Sequence, residues 1–272
     1  VLDPKAHQLV LLDTSLVETS RIGGEGSGPG ELRGPVRLER WDRGLAVGEG
    51  RNARISLFTA DGQFRGIVQR RYLGGPFAIS ERGILMTPVQ TPPHLVDVGS
   101  IDAAIPRRTG IRPPAENVLD ERHTGRDLIV RRADGSAVLF ENRTGAVLQL
   151  RDDGTVTAEV SFPTAAVSAW LDHRRRRVAL FEGQGGGRVY SAPLLKDVSV
   201  DGNVVMLTSS VAPYCVLLID PEFRSIRSVR SEDPSIDEIL CRAESVALTA
   251  RHLVVAVDDS LLRFRSPLLP RN

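Results

Sequence analysis

Lysine is almost missing from this chain. Lys5 and Lys196 are the only two among 35 basic residues, the rest being arginine. Genomic bias produces such a skew. So does a need for bidentate contacts to carboxylate or phosphate, which a planar guanidinium makes and an ammonium does not. Aromatic residues make up only 5% of the 272 positions, which argues against a surface that stacks nucleic-acid bases on interleaved rings. Neither sign of charge is in excess: 34 acidic residues stand against the 35 basic ones, for a net charge of +1. No global field therefore draws the chain toward DNA, RNA or an anionic membrane. Long apolar runs are absent too. A spanning helix needs roughly 20 apolar residues, and the longest runs here, such as 9–12 and 216–219, have the length of a strand.

Several chemistries lack their signatures. There is no Gly-x-Ser-x-Gly elbow to raise a nucleophilic serine and no Cys-x-x-Cys. The five histidines, His7, His94, His123, His173 and His252, are scattered without the His-x-x-x-His spacing of a metal site. The Gly-rich stretch 23–34 does not end in Gly-Lys-Ser/Thr and precedes no helical pattern, so it is not a phosphate loop. Cys215 and Cys241 are the only cysteines. Two thiols build neither a disulfide scaffold nor an all-cysteine zinc site. The first residue is Val1 rather than Met; a cleaved signal peptide or a lipid anchor upstream would fit.

What the chain does have is repetition. Residues 36–69 read as four short strands joined by turns, with Ala60-Asp61-Gly62 before the last. Asp-Gly between alternating runs is a strong hairpin signal. Residues 127–161 repeat the plan, with turns at Ala133-Asp134-Gly135 and Asp152-Asp153-Gly154. Aligning Gly62 with Gly154 matches Ile55 to Val147 and Phe58 to Leu150. Looser copies start near Pro76, Ala166, Val198 and Glu244, the second of them with strands at 167–171 and 178–181. First strands thus fall near 36, 76, 127, 166, 197 and 244, spaced 31 to 51 residues apart. That is the period of four-stranded propeller blades. No sustained helical period appears, so βαβ folds are excluded. The expected fold is all-β: one six-bladed β-propeller over 1–272, with strands in 8–22 completing the last blade and removing its exposed edge. Residues 87–93 and 102–126 read as irregular insertions.

One blade carries a finer pattern. Residues 22–64 contain Gly28-Pro29-Gly30-Glu31, then Pro35 opening the first strand, Val47, the set Asn52, Arg54, Ile55 and Phe58, and a closing Asp61-Gly62. This resembles the NHL repeat, departing from it at Gly48, where that family usually carries Asp. The resemblance implies a propeller and no particular activity, since such propellers include peptide-amide lyases, RNA-binding platforms and protein-binding platforms. It also implies that Arg54 serves structure between blades.

In a four-stranded blade, the loop entering the first strand and the loop between strands two and three emerge on one face. That face is expected to hold Arg33 and Arg51, with Glu31 and Glu49 as alternative partners. Arg107 and Arg108 in the insertion are further candidates for binding. So are Arg174 and Arg175 in the run His173–Arg177, read as a hairpin turn on the opposite face. Cys215 and Cys241 should approach the same face, so a disulfide between them is plausible, with two independent buried thiols as the alternative. Glu39 and Glu244 lie on or near inner strands, as a calcium-binding lactonase-type site would need, while Asn117 falls in an insertion. No metal ligand, cofactor or catalytic residue is assigned.

The expected function is a non-enzymatic, exported bacterial propeller, periplasmic or extracellular, that binds protein as an accessory or scaffold subunit of a larger, membrane-bound assembly. A metal-dependent hydrolase or lyase with an axial site is the alternative, and an RNA-binding platform a second.

Overall fold

The computed structural model describes residues 1–41, 44–69, 75–87, 94–99, 107–111, 127–132, 134–141, 145–182, 195–201, 203–208, 214–220, 222–229, 233–248, 252–258 and 260–265. They fall into two compact units, Val1–Arg112 with Arg151–Thr155, and Pro113–Leu150 with Val156–Asn272.

The first unit holds three antiparallel sheets. Strands β1 (Leu2–Asp3), β2 (Gln8–Leu12) and β3 (Glu18–Gly23) form the first. Strands β4 (Pro35–Trp41), β5 (Gly44–Glu49), β6 (Arg54–Thr59) and β7 (Phe64–Gln69) form the second in simple meander order. Strands β8 (Phe77–Ser80), β9 (Gly83–Met86), β10 (His94–Gly99) and β11 (Arg107–Ile111) form the third. The first strands lie side by side, β4 neighbouring both β1 and β8. Each interface between sheets is filled by apolar side chains. Leu9, Leu32, Val47 and Phe58 pack together, while Ala46, Ile55, Leu57, Val68, Phe77, Ile79 and Ile84 make a second cluster. Adjacent residues of β5 and β6 thus enter different clusters, because side chains alternate across a strand.

The second unit repeats this logic. Its sheets are β12 (Leu128–Arg131) to β15 (Val156–Ser161) through β13 (Ala137–Glu141) and β14 (Ala146–Leu150), then β16 (Leu195–Asp201) to β19 (Ile226–Ser228) through β17 (Asn203–Thr208) and β18 (Val216–Ile219). A three-stranded sheet of β20 (Ser245–Leu248), β21 (His252–Val257) and β22 (Ser260–Arg265) completes it. Again the first strands run side by side, β16 touching β12 and β20. In β18, Leu217 and Ile219 join one core and Val216 and Leu218 the next.

The Asp-Gly turns take the form their chemistry requires. Gly62, Gly135 and Gly154 have φ of 88°, 85° and 81°, the left-handed region open to glycine. In each turn the glycine N–H bonds back to a residue three positions earlier, Thr59, Arg132 or Arg151, at 2.9–3.1 Å.

Three expectations are corrected. Residues 164–182 are not two strands around a turn but one helix, α1 (Thr164–Glu182). The run His173–Arg177 lacks glycine, proline and the Asx residues that make hairpin turns, and arginine is a strong helix former. Trp170, with Ala166, Val167 and Leu171 nearby, is buried in the core between the fourth and fifth sheets. A second helix, α2 (Pro234–Arg242), begins at the cap Asp233, whose side chain accepts from the Ser235 N–H, with Pro234 in the first turn. The chain is thus not purely strand and turn. Second, the segment read as an irregular insertion contains β11, which pairs with β10. Third, β1–β3 hydrogen-bond with one another as a sheet of their own, where the repeat pattern had placed them on the last blade. The six described sheets therefore include this N-terminal one in place of the copy near 166. Residues 87–93 lie outside the described set apart from Thr87, as does Asn117.

Replacing Arg175 by proline separates helix from hairpin. In a helix interior proline costs about 3 kcal/mol, whereas a hairpin turn would tolerate it, and urea denaturation reads the difference.

Candidate functional site

The rim where β5 turns into β6 is built around one buried carboxylate. Glu49 ends β5 with no solvent exposure. One of its oxygens accepts from Arg54 Nε at 2.8 Å and from the Ser56 hydroxyl. The other accepts from Asn52 Nδ2 at 2.6 Å and from the Arg33 backbone N–H at 2.9 Å. A buried charge is tolerable only when paired and hydrogen-bonded in this way.

Arg54, itself 7% exposed, carries the fastening outward. Its guanidinium donates to the carbonyls of Ser27 at 2.7 Å and Glu31 at 2.8 Å, and more weakly to that of Gly28. Asn52 adds a bond to the Gly26 carbonyl at 3.1 Å and accepts from the Ser27 hydroxyl. The Glu31 carboxylate accepts from the Gly28 N–H at 2.7 Å. His7 Nδ1 lies 3.3 Å from both the Leu32 carbonyl and the Gly34 nitrogen. The Gly-rich loop connecting β3 to β4 is thereby held by side chains from the loop facing it and from the β1–β2 turn. Arg54 thus acts between two sheets of the first unit.

That frame leaves two guanidiniums outside. Arg33 is exposed although its own N–H is tied to Glu49. Arg51 has a side chain 67% exposed, with a loose contact of 3.9 Å to Glu25. The Arg51 stem lies over Gly34: a Cβ at that glycine would stand 2.8 Å from Arg51 Cγ. Arg33 and Arg51 therefore share one rim.

The other candidates are dispersed. Arg107 and Arg108 open β11. Arg174 and Arg175 sit within α1, so the turn expected to present them does not exist. Glu39, on β4, is 9% exposed and accepts from Arg37 Nε at 2.6 Å, which occupies it as an ion-pair partner. Glu244 lies just ahead of β20, its N–H bonded to the Ala256 carbonyl. Among the described residues, no group of three or more His, Cys, Asp or Glu side chains could hold a metal ion.

Cys215 and Cys241 are joined by a disulfide with Cα atoms 4.8 Å apart. Cys241 is in the last turn of α2. Beside it, Lys196 Nζ donates to the carbonyls of Cys241 at 3.2 Å and Ala243 at 3.0 Å, a cation at a helix C-terminus. Burial pulls the Lys196 ammonium below the usual lysine range, and Glu244 opposes that shift. Sequence reasoning passed over Lys196; its rarity in an arginine-dominated chain was the one signal available.

The fold is that of β-propellers. The chain is similar to a catalytically inactive virginiamycin B lyase from Staphylococcus aureus with quinupristin, at a TM-score of 0.52 and 12% identity over 96% of this chain and 73% of that one. A streptogramin B lyase gives a TM-score of 0.53 at 13% identity, over 96% and 77%. An exported protein from Bacteroides fragilis gives 0.55 at 12% identity, over 94% and 75%. Identity this low shows architecture alone. No family model and no curated protein sequence matches the chain.

Two outcomes follow for stability. Glu49→Gln leaves Arg54 buried without its carboxylate and is expected to cost about 3–5 kcal/mol, while Arg33→Ala and Arg51→Ala stay within about 0.5 kcal/mol of the parent. Cys241→Ser is expected to cost about 3 kcal/mol by the chain-entropy estimate for its loop, and a reducing agent should lower the parent to the same level in denaturant titrations.

Proposed function

We propose that this chain is a non-enzymatic, exported propeller that binds protein through the rim carrying Arg33 and Arg51, as an accessory or scaffold subunit of a larger assembly. The observation that carries the reading is the contrast at that rim. A loop of unusual glycine content is held rigidly by the buried Glu49–Arg54 pair, while two neighbouring guanidiniums remain in solvent. Loops on a rigid frame are where propellers and comparable scaffolds place binding residues. Exposed arginine suits bidentate contact with a partner's carboxylates.

Export is supported by the Cys215–Cys241 disulfide, since such bonds persist in oxidising compartments, and by the exported protein among the similar structures. No described helix is long and apolar enough to cross a membrane; attachment to a membrane assembly is read as running through a partner or a separate anchor. The six sheets are read as the six blades of one propeller, the sheet of β4–β7 being NHL-like. Similar structures that align over nearly the whole chain support that reading. Arg107, Arg108, Arg174 and Arg175 are secondary binding candidates.

The competing reading is a lyase or hydrolase with a metal at the axis, and two of the similar structures are lyases by name. Affinity purification from the native source in mild detergent, with metal analysis of the same sample, decides between them. A stoichiometric protein companion that is lost from the Arg33→Glu/Arg51→Glu variant is the expected result. A lone chain carrying calcium or zinc would overturn it.

A further inference from the structure

The rim holds an apolar residue that folding alone does not call for. Pairing between β4 and β5 slips at its start: Pro35 stands opposite Glu49 and Arg37 opposite Gly48, leaving Val36 as the extra residue of a bulge. A bulge re-aims the side chain it inserts. Pro35, the residue before, is buried, yet Val36 is 54% exposed, one of five exposed large hydrophobic residues among those described.

Its surroundings are specific. Gly34, immediately before Pro35, has a φ of 60° and accepts at its carbonyl from the Gly50 N–H at 2.9 Å. A Cβ on Gly50 would stand 3.7 Å from Val36 Cγ1, and one on Gly34 would strike the Arg51 stem. Val36 therefore projects beside glycines that add no bulk, one of which lies under the Arg51 stem, and stands three residues from Arg33. The result is an exposed apolar spot on the same rim as two exposed arginines, on a backbone held by Glu49. Backbone and side chains here belong to one unit.

We propose that this patch recognises an extended acidic peptide segment of a partner protein. Its carboxylates meet Arg33 and Arg51, and an apolar side chain between them covers Val36. The proposal rests on the protein-binding reading above and names the chemistry of the partner. Charge complementarity selects the occupant: Arg33 and Arg51 are exposed cations on the rim that carries Val36, and the loose Arg51–Glu25 contact at 3.9 Å already shows a carboxylate approaching Arg51. A nucleic acid would supply the negative charge but nothing that gains from covering a valine, and aromatic stacking partners are not what this rim offers.

The test uses the full chain and a fluorescein-labelled peptide with the core Gly-Glu-Leu-Glu-Gly, read by anisotropy at low salt. Controls replace both glutamates by glutamine, or the leucine by serine, and a labelled RNA oligonucleotide serves as the competing polyanion. The expected result is binding that weakens about tenfold or more in Arg33→Glu/Arg51→Glu and with the glutamine peptide. Val36→Thr, which keeps shape and removes apolar character, weakens it about threefold, as does the serine peptide. Thermal melts of each variant must match the parent. Equal binding of the glutamine peptide, indifference to Val36→Thr, or tighter binding of the RNA would overturn the proposal. If the native companion is still captured in those cases, and still lost on charge reversal, the protein-binding reading stands while the acidic-apolar chemistry falls.

Discussion

Burial of the sheets of β4–β7, β12–β15 and β16–β19 on both faces is the constraint from which much of this structure follows. A sheet that packs another on each side cannot show the clean inside-outside alternation of a half-exposed sheet. Its middle strands become apolar throughout. The strands β6, β13 and β18 show this directly, with burial running through Ile55–Phe58, all of β13 and all of β18. Each such apolar side chain contributes about 1.5–3 kcal/mol when removed from water. The polar members of these strands are then forced to find partners. Ser56, buried among apolar neighbours, does so by bonding Glu49. Chemistry that is not already committed is pushed to the rims, where strands end.

The rims solve one problem in different ways. In the sheet of β4–β7, the last residue of the second strand and the first of the third are Glu49 and Arg54, an ionic fastener. In the sheet of β16–β19 the facing residues are Thr208, the last of β17, and Cys215, just ahead of β18, where the Thr208 N–H bonds the Cys215 carbonyl at 2.8 Å and the sulfur is bonded to α2. In the sheet of β12–β15 they are Glu141 and Ala146. Glu141 is as buried as Glu49, and the alanine opposite it brings no charged side chain to form such a fastener. Repeats that share a backbone plan thus diverge where loops are tied down, and this is also where a repeat pattern fades from the sequence. The repeat features are dense over residues 22–64 because that rim uses the ionic solution.

Turn chemistry and apolar periodicity made most strands legible. Asp-Gly at 61–62, 134–135 and 153–154 requires a glycine-specific conformation, and short apolar runs between such turns had few alternatives. Helix α1 was misread because its apolar residues at 166, 167, 170 and 171 fit a short strand nearly as well as a helix. The deciding signal was a missing one: 19 residues without glycine or proline leave no place to turn. The start of α2 was in plain view as Asp233-Pro234, a cap followed by proline, but repeat counting had already assigned that stretch to a connection. Arg33 and Arg51 could be placed on a common face from blade geometry. Val36 could not, because a bulge depends on how two strands slip against one another, and no residue type announces it.

The likeness to two lyases invites a catalytic reading, and the rim itself weighs against it. A carboxylate that serves as a base or a ligand must keep a lone pair directed at substrate or metal. Glu49 accepts four donors, two on each oxygen, all from the protein. Glu39 is held by Arg37 within its own strand. Freeing either would leave a buried guanidinium or a backbone N–H without its acceptor, a larger loss than a weak substrate contact could offset. The groups left at liberty on this rim are cations in solvent and one valine. Such a set accepts no proton at neutral pH, whereas it can hold a surface that brings carboxylates and a side chain to cover.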